Sequence, residues 1–303
     1  MTISLIIPFY NNEESITELF ERLYQLGENP VFSNHSFELV LIDDGSSDNT
    51  FETLMHQKVK HEKFRFKLIK LTRNFGSYNA FLAGMHHATG DCCVHLHADL
   101  QDPPELIPQL FENYLKGFKL VIANREERED PSIFSRLYHY LVKRYAIQQI
   151  PSGGFDLMLF DKVIKDEIVE ISEKNTNNVY LISWLGYPYV SIPYKRVKRK
   201  YGKSQWALTK KIRLFVDTFF SFSNLPIKIL RFNLLLSILF LVAALFQFLF
   251  PLAEWEYSSL ALIIAIALFS INVSATIMAE FLTRIHETVR NRPNFVVEKV
   301  IEH

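Results

Sequence analysis

The sequence predicts an α/β domain with a mostly parallel sheet, followed by an amphipathic segment and two membrane-spanning helices. Three observations predict this fold class. Short apolar runs alternate with amphipathic stretches over the first 125 residues, a base-rich amphipathic run follows them, and two long uncharged runs lie beyond it. Strands that alternate with helices form a mostly parallel sheet with helices on both faces. We therefore predict an α/β domain at 1–205, a juxtamembrane segment at 206–228, a membrane hairpin at 229–282 and a tail at 283–303.

Five apolar runs predict buried strands, because turn or capping residues follow each of them. These runs lie at 3–7, 37–42, 66–71, 92–96 and 120–123. A helical pattern between the first two runs places four apolar side chains on one face. They are Ile16, Leu19, Phe20 and Leu23.

The loops after these strands are the predicted site. Ligands of open parallel sheets bind beyond the carboxyl ends of the strands. That rule selects the loops that begin at Pro8, Asp43, Arg73 and His97. Polar and charged residues are concentrated in the same loops.

The formal net charge is zero, but the charges are unevenly distributed. Nine basic residues lie between positions 195 and 213 with no acidic residue among them. Such a block binds anionic surfaces, and because apolar segments follow directly, the expected partner is membrane lipid and not nucleic acid. The run at 206–222 predicts a helix with one apolar face, which suits the interface plane of a membrane. A soluble helix that faces a core is the alternative.

Two uncharged runs predict a membrane hairpin. They lie at 232–250 and 258–279, and each is long enough to cross about 30 Å of hydrocarbon. The link between them carries Glu254 and Glu256 and no base, whereas basic residues flank both outer ends. Positive residues stay inside. We therefore predict a multi-pass protein of the inner (plasma) membrane whose catalytic domain and both termini face the cytoplasm.

The first acidic cluster follows the second predicted strand directly. Asp43 and Asp44 are adjacent there, and Gly45 permits a tight turn after them. Paired acids at a strand end hold a metal, a ribose or the edge of a base. A helix N-cap is the alternative, and it accounts for Asp48 but not for both earlier acids.

The second cluster follows the fourth strand. His97, Asp99 and Gln101 alternate, so their side chains share one side of an extended segment. Carboxylate and amide oxygens are ligands suited to Mg²⁺ or Mn²⁺ bridging a diphosphate, and Mn²⁺ accepts a histidine nitrogen better than Mg²⁺ does. If this segment did no more than begin the next helix, only Asp102 of these polar residues would be required.

Four motifs lie at the predicted strand ends, in the order IPFYNNEE at 7–14, DDGSSDNT at 43–50, LTRNFG at 71–76 and ADLQDPPE at 98–105. Their order resembles the family 2 inverting glycosyltransferases with a GT-A fold. The chain is most similar to the branch of dolichol-phosphate mannose synthase and bactoprenol glucosyltransferase. The likeness continues at 135–136, 153–155, 194–206, 221–223 and 284–293, and so covers nearly the whole chain.

The resemblance implies a nucleotide-sugar donor held by residues from five loops. Asp43 or Asp44 would hold the base or ribose, and Asp99 and Gln101, with His97, would bind the divalent metal on the diphosphate. The other implied donor residues are Pro8, Tyr10, Glu13 or Glu14, Arg73, Lys203 and Ser204.

The resemblance also implies a polyprenyl phosphate acceptor, such as undecaprenyl phosphate. Arg125 and Ser135, with Arg128 as a weaker candidate, would meet the acceptor phosphate, while Arg199 would close over the donor diphosphate. Together with Asp99, the residues Arg125, Ser135 and Arg199 form the implied catalytic set. For each arginine, a surface ion pair is the alternative. Relatives assemble through membrane and tail segments, so the apolar tail at 294–301 implies a homo-oligomer.

Two departures from the family pattern leave other hypotheses open. His97 stands where close relatives have Asp, and Asp156 stands where they often have Arg. A polyprenyl phosphate is mostly ionised at pH 7 and requires no general base. A hydroxyl of a lipid-linked glycan would require one, with Asp156 or Asp102 as the candidate. A catalytically silent membrane scaffold, its metal site degraded at His97, is a third hypothesis.

Overall fold

The protein is described from a computed structural model. The structure describes residues 1–57, 62–126, 133–148, 150, 155–171, 177–201, 208–249 and 257–302. Three of the predicted site residues lie outside this set. They are Arg128, Lys203 and Ser204.

Eight strands form one sheet in the described part of the chain. They are β1 (Thr2–Phe9), β2 (Ser36–Asp43), β3 (Phe64–Leu71), β4 (Cys92–His95), β5 (Leu120–Arg125), β6 (Met158–Asp161), β7 (Tyr189–Tyr194) and β8 (Val297–Glu302). The first five confirm the predicted strands. The short β6 was not predicted, and neither was β7, in which Pro193 interrupts the apolar pattern; proline is tolerated there because β7 is an edge strand.

The sheet is mixed but mostly parallel, as predicted. Its strand order is β7-β5-β6-β4-β1-β2-β3-β8, and only β6 and β8 run against the other strands. The central strand β1 is buried from Ile3 to Phe9, as expected of a strand covered on both faces. Its side chains divide between two apolar clusters: Leu5 and Ile7 pack on one side of the sheet, and Ile6 packs on the other.

Ten helices accompany the sheet within the described residues. They are α1 (Ile16–Gly27), α2 (Thr50–Met55), α3 (Ser77–His87), α4 (Ile107–Leu115), α5 (Ile133–Tyr145), α6 (Lys162–Glu170), α7 (Asn178–Trp184), α8 (Leu208–Phe222), α9 (Leu225–Leu249) and α10 (Tyr257–Val289). Short 3-10 turns at Glu13–Ser15, Pro30–Phe32 and Pro104–Leu106 complete the order. All four apolar side chains predicted to share a face of α1 are buried.

The helices α8, α9 and α10 correspond to the predicted juxtamembrane and membrane segments. Helices α9 and α10 are long and apolar enough to cross a membrane, and few of their described residues are buried. On α8, Phe219 is buried and the ring of Phe220 lies 5.0 Å from the ring of Phe281 on α10. Arg284 of α10 donates to Asp217 of α8 at 2.7 Å. Apolar and ionic contacts therefore join α8 to α10.

The tail returns to the sheet. Helix α10 continues to Val289, past the predicted end of its span, and β8 then pairs antiparallel with β3. An edge strand such as β3 has main-chain groups that a further strand can pair with. The tail was predicted to pack on a neighbouring subunit; here it pairs with its own chain, and the homo-oligomer stays a prediction.

Candidate active site

The loops after β1 and β2 are joined by hydrogen bonds to the main chain. The Asn11 side chain accepts from the Ser47 amide at 2.9 Å, and the Asn12 amide donates to Thr50 Oγ1 at 2.9 Å. The Glu13 carboxylate accepts from the main-chain and side-chain nitrogens of Asn49, both at 3.3 Å. Glu13, one of the residues predicted to bind the nucleotide-sugar donor, thus joins the two loops. Three others are placed at or near the same edge: Pro8 is buried in β1, and Tyr10 and Glu14 follow that strand.

Asp44 and Gly45 hold the loop after β3. Asp44 Oδ1 accepts from the Phe75 amide at 2.7 Å, and Oδ2 accepts from the Gly76 amide at 2.9 Å. Burial raises the pKa of Asp44 to about 6, although these two bonds favour the ionised form. Gly45 has φ +64°, and a Cβ there would lie 2.4 Å from the carbonyl carbon of Arg73. In the same loop, the Arg73 guanidinium lies over the Phe75 ring, 4.3 Å from the ring centre.

Asp43 has a carboxylate oxygen without a hydrogen-bond partner among the described residues, whereas both carboxylate oxygens of Asp44 accept hydrogen bonds. Asp43 Oδ1 accepts from the Ser46 amide at 3.2 Å, while Oδ2 is buried and has no hydrogen-bond partner among the described residues. Burial raises the pKa of this carboxyl. A buried acceptor without a partner is costly, so a ligand hydroxyl or N–H that reached Oδ2 would be favoured. Sequence reasoning left Asp43 and Asp44 as alternatives; the structure leaves only Asp43 with an open oxygen.

Asp99 and Gln101 lie together after β4, but in a turn with Leu100 at φ +58° and not in the predicted extended segment, and the segment after β7 contacts them. Arg199 Nη2 donates to Asp99 Oδ2 at 2.8 Å, and Asp99 Oδ1 accepts from the Gln101 amide at 3.2 Å. The Val197 amide donates to the main-chain oxygen of Gln101 at 3.1 Å. Two of the three predicted metal ligands, Asp99 and Gln101, are therefore in direct contact with the predicted diphosphate-binding arginine.

Asp102 has more contacts in the site than sequence reasoning assigned to it, which named it only as a helix-entry residue and as an alternative base. It is fully buried and accepts hydrogen bonds from the Tyr194 hydroxyl and from Arg196 Nε, the latter at 3.1 Å. Burial alone would raise the pKa of Asp102, but the charge of Arg196 and its other neighbours lower it. The sequence contains one signal that could have identified this contact: Tyr194 and Arg196 are two positions apart, which puts both on one side of the extended chain at the end of β7.

Arg125 and Asp156 form a second ion pair beside it. Arg125, at the end of β5, donates to Asp156, which precedes the antiparallel β6 and so lies at the same sheet edge. Arg125 Nε is buried without a hydrogen-bond partner among the described residues and lies 4.0 Å from Asp102 Oδ1. The predicted acceptor-binding arginine is thus held by a carboxylate. Ser135, which was predicted to meet the same acceptor phosphate, lies in α5, and the structure describes only the backbone of that residue.

His97 brings a nitrogen to the same cluster. Its Nε2 lies 3.9 Å from Asp156 Oδ2, and ligand atoms of His97, Asp102 and Asp156 all lie within 4.8 Å of one another. Burial lowers the pKa of His97, against the opposite effect of Asp102 and Asp99, so its imidazole is neutral at pH 7 as a metal ligand must be. Imidazole, carboxylate and amide donors fit Mn²⁺, and the carboxylates and amide alone fit Mg²⁺.

The comparisons with known proteins agree with this geometry. Residues 4–168 match the sequence profile described as Glycosyl transferase family 2. The uncharacterized glycosyltransferase YkcC of Bacillus subtilis (strain 168) is 30% identical over 98% of this chain and 93% of its own length. The undecaprenyl-phosphate 4-deoxy-4-formamido-L-arabinose transferase of Edwardsiella ictaluri (strain 93-146) is 29% identical over 99% of this chain and 94% of its own.

A solved structure shares the fold. Glucosyl-3-phosphoglycerate synthase from Mycobacterium tuberculosis, in complex with phosphoglyceric acid, superimposes with a TM-score of 0.50 at 16% identity, covering 72% of this chain and 80% of that one. Its likeness supports the GT-A architecture. From the profile match, the full-length relatives and this fold, we conclude that the chain belongs to glycosyl transferase family 2 and is a glycosyltransferase.

Proposed function

We propose that this glycosyltransferase transfers a sugar, with inversion, from a nucleotide sugar to a polyprenyl phosphate at the cytoplasmic face of the inner membrane. One observation carries the proposal: a single chain joins a cluster of Arg–Asp pairs at the carboxyl edge of the sheet to two long apolar helices. A relative of nearly the same length is named for transfer to undecaprenyl phosphate, which supports the same acceptor class here.

The donor would lie along the edge from β2 to β4. Asp43 Oδ2 would accept from the ribose or base, since it is the carboxylate oxygen there without a partner among the described residues. Asp99, Gln101 and His97 would hold a divalent metal, Mg²⁺ or Mn²⁺, which would supply charge neutralisation for the departing nucleoside diphosphate. Arg199, and Lys203 and Ser204 from outside the described residues, would contact the same diphosphate.

The acceptor would attack as an anion. A polyprenyl monophosphate has a second pKa near 6, so at pH 7 its oxygen is mostly ionised and no side chain has to remove a proton. Arg125 and Ser135 would orient that oxygen toward the anomeric carbon. Since Arg125 already donates to Asp156, the acceptor phosphate would share or replace that partner.

The membrane segments would bring the site to the lipid headgroup. Helices α9 and α10 would span the bilayer, and α8 would lie at the interface with the apolar side chain of Ile212, which is 57% exposed. The basic block before and within α8 would add about 1 kcal/mol per charge near an anionic leaflet. By the positive-inside rule, both termini would be cytoplasmic and the acidic link at 251–257 would face outward.

A donor screen on the purified full-length chain tests the proposal. Radiolabelled UDP- and GDP-sugars would be incubated with undecaprenyl phosphate in detergent, with Mg²⁺ or Mn²⁺, and the lipid fraction would be counted. We expect one donor to label the lipid and NMR of the product to show an inverted anomeric carbon. A complete panel that leaves the lipid unlabelled would overturn the proposal, and Asp99→Ala provides the background rate.

Transfer to a hydroxyl is the second candidate function, and the position of Asp156 favours it. This carboxylate lies in the site, 3.9 Å from His97 Nε2, where a base for an alcohol acceptor would be needed. Asp156→Asn separates the two reactions. A fall in turnover of about 10²-fold or more would indicate a hydroxyl acceptor, because that is the size of a general-base contribution. Turnover within a few-fold of the native rate would support the phosphate acceptor.

A further inference from the structure

We propose that Glu18 of helix α1 is a positioning residue for Arg196 and Arg199, the two arginines that reach the candidate site from the segment 195–201. Glu18 is not one of the residues assigned to the donor, the metal or the acceptor, and it acts through the chain of this segment. The inference rests on the proposed function, which gives Arg199 the donor diphosphate to bind.

The segment 195–201 runs along the acidic loop after β4 in the opposite direction. It carries five basic residues and no acidic one, so its own charges repel each other. Anionic partners are therefore needed to keep it in one conformation beside the loop. Three contacts fix its position there: Arg196 Nε with Asp102 Oδ1 at 3.1 Å, the Val197 amide with the Gln101 main-chain oxygen at 3.1 Å, and Arg199 Nη2 with Asp99 Oδ2 at 2.8 Å.

Glu18 supplies a further anionic partner, from outside the acidic loop. Its Oε2 accepts from Lys200 Nζ at 2.6 Å and from the Tyr201 hydroxyl at 2.8 Å. The ion pair alone would contribute little, because the Lys200 side chain is 63% exposed. The phenol adds to it, since the Tyr201 ring packs against the apolar cluster that contains Leu19 and Phe20 of α1. A side chain already ordered by packing loses little further freedom when it forms a hydrogen bond.

Helix α1 holds both chain segments that meet at the site. Its apolar face is buried in the core, which fixes the helix in place. Arg22 lies four positions after Glu18, on the same face of the helix, and donates to both carboxylate oxygens of Glu105, at 2.8 and 2.5 Å. Glu105 ends the motif at 98–105. The acidic loop is thus held through Arg22, and the basic segment through Glu18.

Loss of the Glu18 carboxylate should weaken donor binding and leave the chemical step intact. The segment would keep its five positive charges with one anionic partner fewer, so Arg196 and Arg199 would occupy their positions for a smaller fraction of the time. Apparent affinity falls by that fraction when only one conformation binds the ligand. Because no group that touches the reacting atoms is removed, the rate at saturating donor should be retained.

Kinetics of the full-length Glu18→Gln variant, with the donor that the screen identifies, test this inference. We expect the KM for the nucleotide sugar to rise about 5- to 10-fold while kcat stays within about twofold of native. Hydrogen exchange gives a readout that does not depend on turnover: the Val197 amide, which donates to Gln101, should exchange about 5- to 10-fold faster in the variant. The unfolding temperature should stay close to native, since the Glu18–Lys200 pair is partly exposed.

Two further variants address the contact itself. Tyr201→Phe removes one hydroxyl from it and should shift KM and exchange in the same direction by a smaller factor. Combining Glu18→Lys with Lys200→Glu re-forms the ion pair with reversed signs, so the double variant should recover most of the native KM.

Glu21→Gln is the matched control, because it removes the same charge from an exposed position of α1. Equal changes in both variants, or native KM and exchange in Glu18→Gln, would overturn the inference. A large fall in kcat at an unchanged KM would also overturn it, since Glu18 would then act in the chemical step. A native chain that transfers no sugar to undecaprenyl phosphate would instead count against the proposed function, and the exchange comparison would still decide the role of Glu18.

Discussion

The two halves of the site are held together by different interactions. Around the ends of β1, β2 and β3, side-chain oxygens accept from main-chain amides, as Asp44 does from Phe75 and Gly76. Around the ends of β4, β5 and β7, the principal contacts are ion pairs between aspartates and arginines. Both halves contain buried carboxylates, but only the second half satisfies them with long, mobile side chains.

This difference separates a preformed surface from an exchangeable one. A main-chain amide can leave its acceptor only if the loop itself rearranges, so the nucleoside half keeps its shape with or without a ligand. An arginine can leave its acceptor by rotating its side chain, and an incoming phosphate offers it an equivalent partner. We therefore expect substitutions in the first half to alter shape and stability, and substitutions in the second half to alter ligand binding and rate.

The largest effect should come from Asp99→Asn, in the exchangeable half. The amide keeps the size of the side chain but removes the charge that a metal or Arg199 binds. We expect the rate of sugar transfer to undecaprenyl phosphate to fall by about 10²- to 10³-fold, as on loss of one electrostatic group in a closed site. Thermal unfolding should change little. Asp91→Asn, at the other end of β4, is the control; a rate above a tenth of native in Asp99→Asn would contradict the assignment.

The preformed half is tested by Gly45→Ala, compared with Gly117→Ala. Both glycines have positive φ, so alanine costs about 1–2 kcal/mol at each. Only at Gly45 would the new Cβ also meet main chain, 2.4 Å from the Arg73 carbonyl carbon, while nothing lies within 4 Å at Gly117. We expect a larger fall in the unfolding temperature for Gly45→Ala, with a donor KM raised about tenfold. Equal effects of the two substitutions would show that the approach of the two loops is unimportant.

A smaller, pH-dependent effect should arise from Asp44. Its pKa is about 6 in the folded chain against an ordinary value of 3.8, so between these values the folded state binds more protons than the unfolded state. The stability that this group contributes therefore increases as pH falls from 7 toward 4, by about 2–3 kcal/mol, and is lost as pH rises through 6. The native chain should gain unfolding temperature relative to Asp44→Asn between pH 7.5 and pH 5. A constant difference in unfolding temperature between the two chains over this pH range would contradict the assignment.

The sequence predicted most of the sheet because central strands leave a strong local signal. The strands β1, β2 and β4 are buried over nearly their whole length, and β3 alternates buried apolar residues with more exposed ones such as Arg65. The outer strands β7 and β8 were not predicted. Strand β7 includes Pro193 and is partly exposed. Strand β8 is mostly exposed, with Glu298 and Lys299 between its apolar residues. Such segments form strands because a partner strand supplies hydrogen bonds, and that partner is distant in the sequence.

Within the site, the loops were predictable and the pairings were not. The sequence by itself determined which loops carry acids, which positions carry arginine and where the apolar helices lie, since these follow from residue type and local spacing. Only the tertiary structure decided that Asp44 binds a loop while Asp43 keeps an open oxygen, and that Arg125 is paired with Asp156. The reason is physical: a carboxylate's role depends on which donors reach it, and here those donors lie between 3 and 100 positions away along the chain.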